Sequence, residues 1–234
     1  KTKQLTTLPI KQAVIAVSAI SLLYPLEWIE GYSHEQFISD LLNEAEADIR
    51  RFRNNGAYNV QIDFTEARLA LKLDPTKGLL KSFIDLNNKV LSRFSEEERK
   101  KIGVHSCPGG DRDSTHSADI SYPDLLPLLF ELNATNFYLE YAGEKDKLSV
   151  LSAIKENMRS SQRVFIGVTN VLDPRVETPE EIRDTILEAA EIISHEQLGT
   201  TDDCGFSPFA DDISTSRDTA FAKIKSRIEG TKLS

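Results

Sequence analysis

The stretch Ile102-Gly-Val-His-Ser-Cys107 is a short apolar run that turns polar at its C-terminal end. Five other runs share that form: Gln12-Ala-Val-Ile-Ala-Val-Ser18, Asn59-Val-Gln-Ile-Asp-Phe64, Asn136-Phe-Tyr-Leu-Glu-Tyr141, Arg163-Val-Phe-Ile-Gly-Val-Thr169 and the more polar Leu198-Gly-Thr-Thr-Asp-Asp-Cys204. Their length and β-branched content predict strands, and strands that are apolar almost throughout are buried on both faces. Longer stretches of helical period lie between them. Ser33-x-x-Gln36 predicts a capping box, and Asn55-Gly56 predicts a left-handed helix end. Thr178-Pro179-Glu180-Glu181 predicts a helix start with proline at the first position and acids near the positive helix end. In that helix Ile182, Ile186, Ala189 and Ile193 share a face. Ser214 to Gly230 reads as an amphipathic helix ending in glycine.

Strands alternating with helices imply parallel pairing with right-handed crossovers, in an open doubly wound sheet or a barrel. The chain has no G-x-G-x-x-G phosphate fingerprint. Asp63, His105, Cys107, Glu140, Asn170, Asp203 and Cys204 cluster at the C-terminal ends of several different predicted strands. A barrel gathers such ends into one ring, whereas an open sheet spreads them along a line. The expected fold is therefore α/β, a (β/α)8 TIM-type barrel. Only six strand–helix units are counted, and the first begins at Gln12. Residues 1–234 are thus expected to form a single (β/α) barrel domain, the C-terminal portion of a longer barrel whose first two strands are absent. A missing N-terminal segment or a partner should cover the open edge, which would otherwise be sticky.

The 234 residues are 40% apolar and 28% charged, as in ordinary globular proteins. A formal charge of -9 argues against a nucleic-acid partner. The longest apolar run, Ala13 to Leu23, contains serines and stops at Tyr24-Pro25, too short to cross a bilayer. With no signal-peptide pattern, a cytoplasmic location and reduced thiols are expected.

Along a strand, residues i and i+2 point to the same side, so His105 and Cys107 could reach one metal ion. An isolated His-x-Cys also suits a small buried thiol and a satisfied loop histidine. The second cysteine, Cys204, and Glu140 end other strands, and His105, Cys107, Glu140 and Cys204 would make a tetrahedral set. Thiolates with an imidazole select zinc over magnesium or calcium. A zinc-bound thiol loses its proton and becomes a nucleophile at neutral pH. An electron-rich ligand set of this kind points to sulfur alkylation over hydrolysis.

Taken together, Val60-Gln-Ile-Asp63, His105-x-Cys107, Glu140, Gly167-Val168 with Pro174-Arg-Val176, and Asp203-Cys-Gly205 resemble the C-terminal catalytic barrel of cobalamin-independent methionine synthase, in the family's order from Gln12 onward. The resemblance implies zinc held by His105, Cys107, Glu140 and Cys204. It implies a homocysteine-like thiol whose amino group contacts Asp63, and a methyl group passed from a methyltetrahydrofolate-type donor. Glu66 and Asn170 are the further expected substrate contacts. The family's Tyr-Asp-x-His-Ser-Pro-Arg reads here as Thr169-Asn-Val-Leu-Asp-Pro-Arg175, so its proton-shuttling histidine is Leu172. After Asp63 the family's Glu-Pro-Ala is Phe64-Thr-Glu66.

The longer segment after Cys107 carries Asp111, Arg112, Asp113 and His116. Asp113 and His116 are the candidate replacement catalytic groups; a hydrogen-bonded turn network is the alternative. Tyr24 and Trp28 either line a pocket or pack in a loop, and His34 and His195 are expected on the surface. Two other activities fit the same residues. One is zinc-thiolate addition to another electrophile such as an epoxide, which the loss of the histidine favours. The other is a non-catalytic zinc clamp. Expected partners are a small-molecule thiol and a methyl donor, with no nucleic acid and no membrane; homo-oligomerisation is left open.

Overall fold

The computed structural model describes residues 2–27, 29–109, 116–207 and 213–234. The elements run β1 (Lys11–Ile15), α1 (Val17–Ser21), α2 (His34–Asn54), β2 (Asn59–Asp63), α3 (Glu66–Leu73), α4 (Gly78–Leu91), α5 (Glu96–Arg99), β3 (Ile102–Ser106), α6 (Tyr122–Leu129), β4 (Asn136–Leu139), α7 (Lys147–Asn157), β5 (Arg163–Gly167), α8 (Pro179–Ala190), β6 (Leu198–Thr201) and α9 (Arg217–Leu233). All six strands lie in one parallel sheet in chain order. No helix among the described residues is long and apolar enough to cross a membrane.

The register explains the sheet's two faces. Val60, Ile62, Ile102, Val104, Phe137, Leu139, Val164 and Ile166 fall on one side and are buried in the main core beneath the helices. The other side carries a row that crosses the whole sheet: Ile15, Asp63, His105, Tyr138, Phe165 and Gly199. This inner face is strongly curved. Lys11 Nζ of β1 sits 3.8 Å from the ring centre of Tyr138 on β4. Three strand spacings across a flat sheet would separate them by about 14 Å. Tyr138 and Phe165 stack with ring centres 4.9 Å apart and fill the interior. Glycines make room for them: a Cβ at Gly103 would lie 2.5 Å from Tyr138, and one at Gly199 would lie 2.4 Å from Phe165.

Several local expectations are met and two are corrected. Thr178 and Glu181 form both arms of a capping box, and Ile182, Ile186 and Ala189 are buried on one face of α8; Ile193 is buried too, but in the turn beyond the helix end at Ala190. Asn55 ends α2, with Gly56 at φ +87°. The first correction is at Ser33, where only one arm of the box forms. Ser33 Oγ accepts from the Gln36 amide, but the Gln36 side chain donates to Asp40 Oδ1 at 2.9 Å, one helical turn on. The second concerns the last helix. It begins at Arg217 behind the Ser216 cap and runs through Gly230. Gly230 is a packing residue, since a Cβ there would meet Ile182 Cγ2 at 2.6 Å, so α8 and α9 approach closely. The face that α9 buries is polar, with Lys223 and Ser226, while Phe221 is exposed.

The outer strands differ from the inner ones. Among the described residues β1 pairs only with β2, and Ile15 is 63% exposed. Beside it Val14, Leu41, Ala45, Ile49 and Phe52 line an apolar cavity of about 290 Å³ between β1 and α2.

Replacing Gly199 with alanine should cost about 1–3 kcal/mol of stability through overpacking against Phe165. Thermal unfolding reads the loss, and Phe165→Leu in the same chain should recover part of it. An unchanged midpoint for Gly199→Ala would mean that the interior is not packed this way.

Candidate metal centre

Two strand ends meet at the C-terminal rim of the sheet. His105 is the fourth residue of β3, and Cys107 follows the strand directly. Cys204 lies three residues beyond β6. β3 and β6 are three strands apart, yet Cys107 Sγ and Cys204 Sγ are 3.0 Å apart and unbridged. The His105 ring completes a group whose ligand atoms all lie within 4.8 Å of one another.

The histidine is oriented for this role. Its Nδ1 lies 3.0 Å from the Tyr138 carbonyl oxygen, on the neighbouring strand. Its Nε2 is buried with no hydrogen-bond partner among the described residues. A buried ring nitrogen without a partner is costly, and a backbone carbonyl on the other nitrogen is the usual support of a metal-ligating histidine. Two thiols and one such imidazole fit zinc.

Electrostatics divide the two cysteines. The hydrogen bond from Cys107 holds the Cys204 thiol down, to about 5, with help from His105 and against its burial. Cys107, bonded to that thiolate and buried, is pushed well above the usual thiol range. Burial pulls His105 down, but its contact with Cys204 and the charge of Asp63 outweigh this and leave it raised.

Glu140 follows β4 and lies outside the group of three. Its Oε2 accepts from Arg68 Nη1 at 3.1 Å. Burial first, and then the nearby Asp203, pushes Glu140 up to about 9, while Arg68 opposes the shift. Asp203, buried beside Cys204, binds three consecutive backbone amides: Tyr141 and Ala142 donate to Oδ1 at 2.8 and 2.9 Å, and Gly143 donates to Oδ2 at 2.7 Å. It thereby fastens the loop after Glu140 to the end of β6. Gly167 is needed for this, because a Cβ there would fall on the Asp203 carboxylate.

The other expected residues are distributed unevenly. Asp63 pairs in register with His105 and accepts from Gln61 Nε2 at 2.6 Å. Asn170 sits in the loop after β5. Its Oδ1 accepts from the Leu172 amide, its own amide donates to Glu177 Oε1, and its carbonyl accepts from the buried Lys223. Glu66 is buried, bonded through Oε1 to Ser18, whose hydroxyl also accepts from Asn87; Oε2 has no hydrogen-bond partner among the described residues. That places Glu66 in a polar knot under α1 and α4. His116 donates its amide to Pro108 and pairs through Nδ1 with Ser117, while Lys72 binds its carbonyl. Asp111, Arg112, Asp113 and Trp28 lie outside the described residues. Tyr24 packs against His34 and Phe37 at 5.1 and 5.2 Å and also lines an open cleft with Ile29 and Tyr32, so it does both. His195 is exposed. Arg68, Lys223 and the clamping role of Asp203 were not anticipated from sequence. Each is a charged residue whose partners are remote along the chain.

The catalytic-domain model of cobalamin-independent synthase matches residues 110–216, which include Glu140 and Cys204. A methionine synthase from Methanothermobacter thermautotrophicus is 33% identical over 204 residues, 86% of this chain and 56% of that protein. The chain is a divergent relative of the cobalamin-independent methionine synthase family. A methionine synthase from Pyrococcus horikoshii is 24% identical over 200 residues, 85% of this chain and 50% of that protein. The structure of a B12-independent methionine synthase from Shewanella sp. W3-18-1 in complex with selenomethionine superposes over 99% of this chain and 63% of that one, with a TM-score of 0.72 at 21% identity. The six-stranded sheet therefore has the fold of a TIM-type barrel wall. The chain spans about half the length of the curated relatives it matches.

Glu66 gives the knot a pH signature. Burial raises its carboxyl from the ordinary 4.5 to about 7, against the Ser18 hydrogen bond. The folded chain thus holds this proton more tightly than the unfolded one. The resulting stability is fully present below about 4.5 and is lost as pH rises through about 7. Glu66→Gln removes this dependence. Across pH 4.5 to 7 the variant should gain stability relative to the parent, with the difference level above that range. Denaturant melts at several pH values measure it; a constant difference would show that Glu66 ionises normally.

Proposed function

We propose that this chain carries the zinc-dependent, thiol-alkylating site of a methionine synthase-like methyltransferase. A homocysteine-like thiol is the acceptor and a methyltetrahydrofolate-type molecule the donor. The observation that carries the reading is the convergence of the buried His105 ring with Cys107 and Cys204. A zinc ion held there would supply a substrate thiolate at neutral pH.

The chain's own residues do the rest. The Tyr138 carbonyl fixes the His105 ring. Asp203 fixes the 141–143 loop at the rim. Asp63, half-buried beside His105, offers a carboxylate to the ammonium of an amino-acid thiol. Asn170 has its carbonyl, amide and Oδ1 engaged, and its Nδ2 lies near Gly143 at the edge of the site. That amide is the group it can present to a substrate. Leu172 cannot move a proton, and His116 is the described residue nearest that task in type. Its pKa is lowered by burial and by Lys72 and Arg68, which keeps it neutral and able to accept a proton.

The exposed edge of β1 and the apolar cavity behind it suit further parallel strand–helix units. Such units, in the same polypeptide or from a partner, would complete the thiol site.

Metal analysis should find about one zinc per chain. Cys107→Ser and Cys204→Ser should each abolish binding, and homocysteine should add a third sulfur to the zinc X-ray absorption shell. A metal shell indifferent to every thiol would leave a structural clamp. Turnover with a simple epoxide but not with methyltetrahydrofolate would assign the other electrophile, which Leu172 favours.

A further inference from the structure

Three side chains climb the inner face of the sheet from its floor to its rim. On β2, Gln61 and Asp63 are two residues apart and so point the same way. Lys11 opens β1, where it pairs with Asn59, one side-chain step below Gln61 on that face. The three are joined by hydrogen bonds. Lys11 Nζ donates to Gln61 Oε1 at 2.5 Å, and Gln61 Nε2 donates to Asp63 Oδ1 at 2.6 Å. The ammonium is also held over the Tyr138 ring, 3.8 Å from its centre, and Tyr138 stacks on Phe165. The aromatic pair that fills the interior therefore sets the lysine head as well.

The direction of this relay is forced. An ammonium has only donors and a carboxylate only acceptors, so Gln61 must turn its oxygen to Lys11 and its NH2 group to Asp63. Without the lysine the amide would be fastened at one end alone, and Asp63 would lose the anchor that keeps its carboxylate in one orientation. Asp63 ends β2 in register with His105. Gln61 occupies its Oδ1, while Oδ2 accepts no hydrogen bond among the described residues. The relay thus leaves one carboxylate oxygen open at the rim beside His105.

We propose that Lys11 and Gln61 are positioning residues for Asp63: they hold its carboxylate with one oxygen presented to the ammonium of an amino-acid thiol, and so make the site prefer thiols that carry an amino group. This rests on the reading that zinc holds the thiol and Asp63 meets the ammonium. Neither positioning residue touches the substrate. Lys11 is exposed on the outer strand, so its substitution leaves the core packing alone.

The test uses the zinc-loaded chain and two thiols, homocysteine and 4-mercaptobutyrate, which keeps the thiol and carboxylate but lacks the amino group. Titration calorimetry reads both affinities, and the parent should bind homocysteine the more tightly. Lys11→Met and Gln61→Met should each weaken homocysteine about fivefold and leave 4-mercaptobutyrate as it was. The double variant should lose no more than either single one, because both substitutions break the same relay. Lys11→Arg, which still donates, should recover most of the loss seen with Lys11→Met. Equal weakening of both thiols would put Lys11 on the carboxylate they share and overturn the proposal, as would variants that bind both thiols like the parent. A zinc-loaded parent that does not distinguish the two thiols would overturn the reading of Asp63 as the ammonium contact, and the proposal with it. A chain that takes up no zinc would overturn the metal reading itself.

Discussion

The curvature of the sheet is the constraint on which the site depends. Cys107 and Cys204 leave strands three places apart, and only a rolled sheet lets their sulfurs approach to 3.0 Å. The roll has a visible cause on the inner face. Tyr138 and Phe165 occupy the interior, and Gly103 and Gly199 on the flanking strands yield the space they need. Larger residues at those glycines would push the strands apart and, with them, the donors at the strand ends.

Buried charge then converts that rough approach into a defined geometry. Asp203 ties the end of β6 to three amides beyond β4. Arg68 ties α3 to the same loop through Glu140 and Glu144, and to the end of β3 through Tyr122. Lys223, fully buried on α9, reaches Glu177 at 2.8 Å and the Asn170 carbonyl, and so holds the loop after β5. Unpaired, any of these charges would be costly. Together they brace the rim against movement.

Divergence from the family is concentrated where the reaction partner would be handled. The three soft donors and their supports are present, while the loop after β5 carries Leu172 and is closed by internal hydrogen bonds from Asn170. On the proposed reading, binding and activation of a thiol have clearer residues in this chain than delivery of the electrophile. The relatives are about twice as long as the matched region.

The sequence by itself determined the element order, the parallel sheet and the identity of the soft donors. Those follow from local rules: strand runs such as Ile102–Ser106, the Thr178 cap, and the scarcity of cysteine and histidine, which makes His105-x-Cys107 and Cys204 stand out. Gly230 was misread as a helix end because a glycine near a helix terminus has the same local look as one chosen for close packing against Ile182. The buried roles of Arg68 and Lys223 are not legible in the sequence, since nothing nearby in the chain names partners 72 or 46 residues away. Only the tertiary structure decided that His105, Cys107 and Cys204 meet while Glu140 turns to Arg68. Which atoms come together across a rolled sheet depends on interior packing and buried charge, and neither is written in any short stretch of sequence.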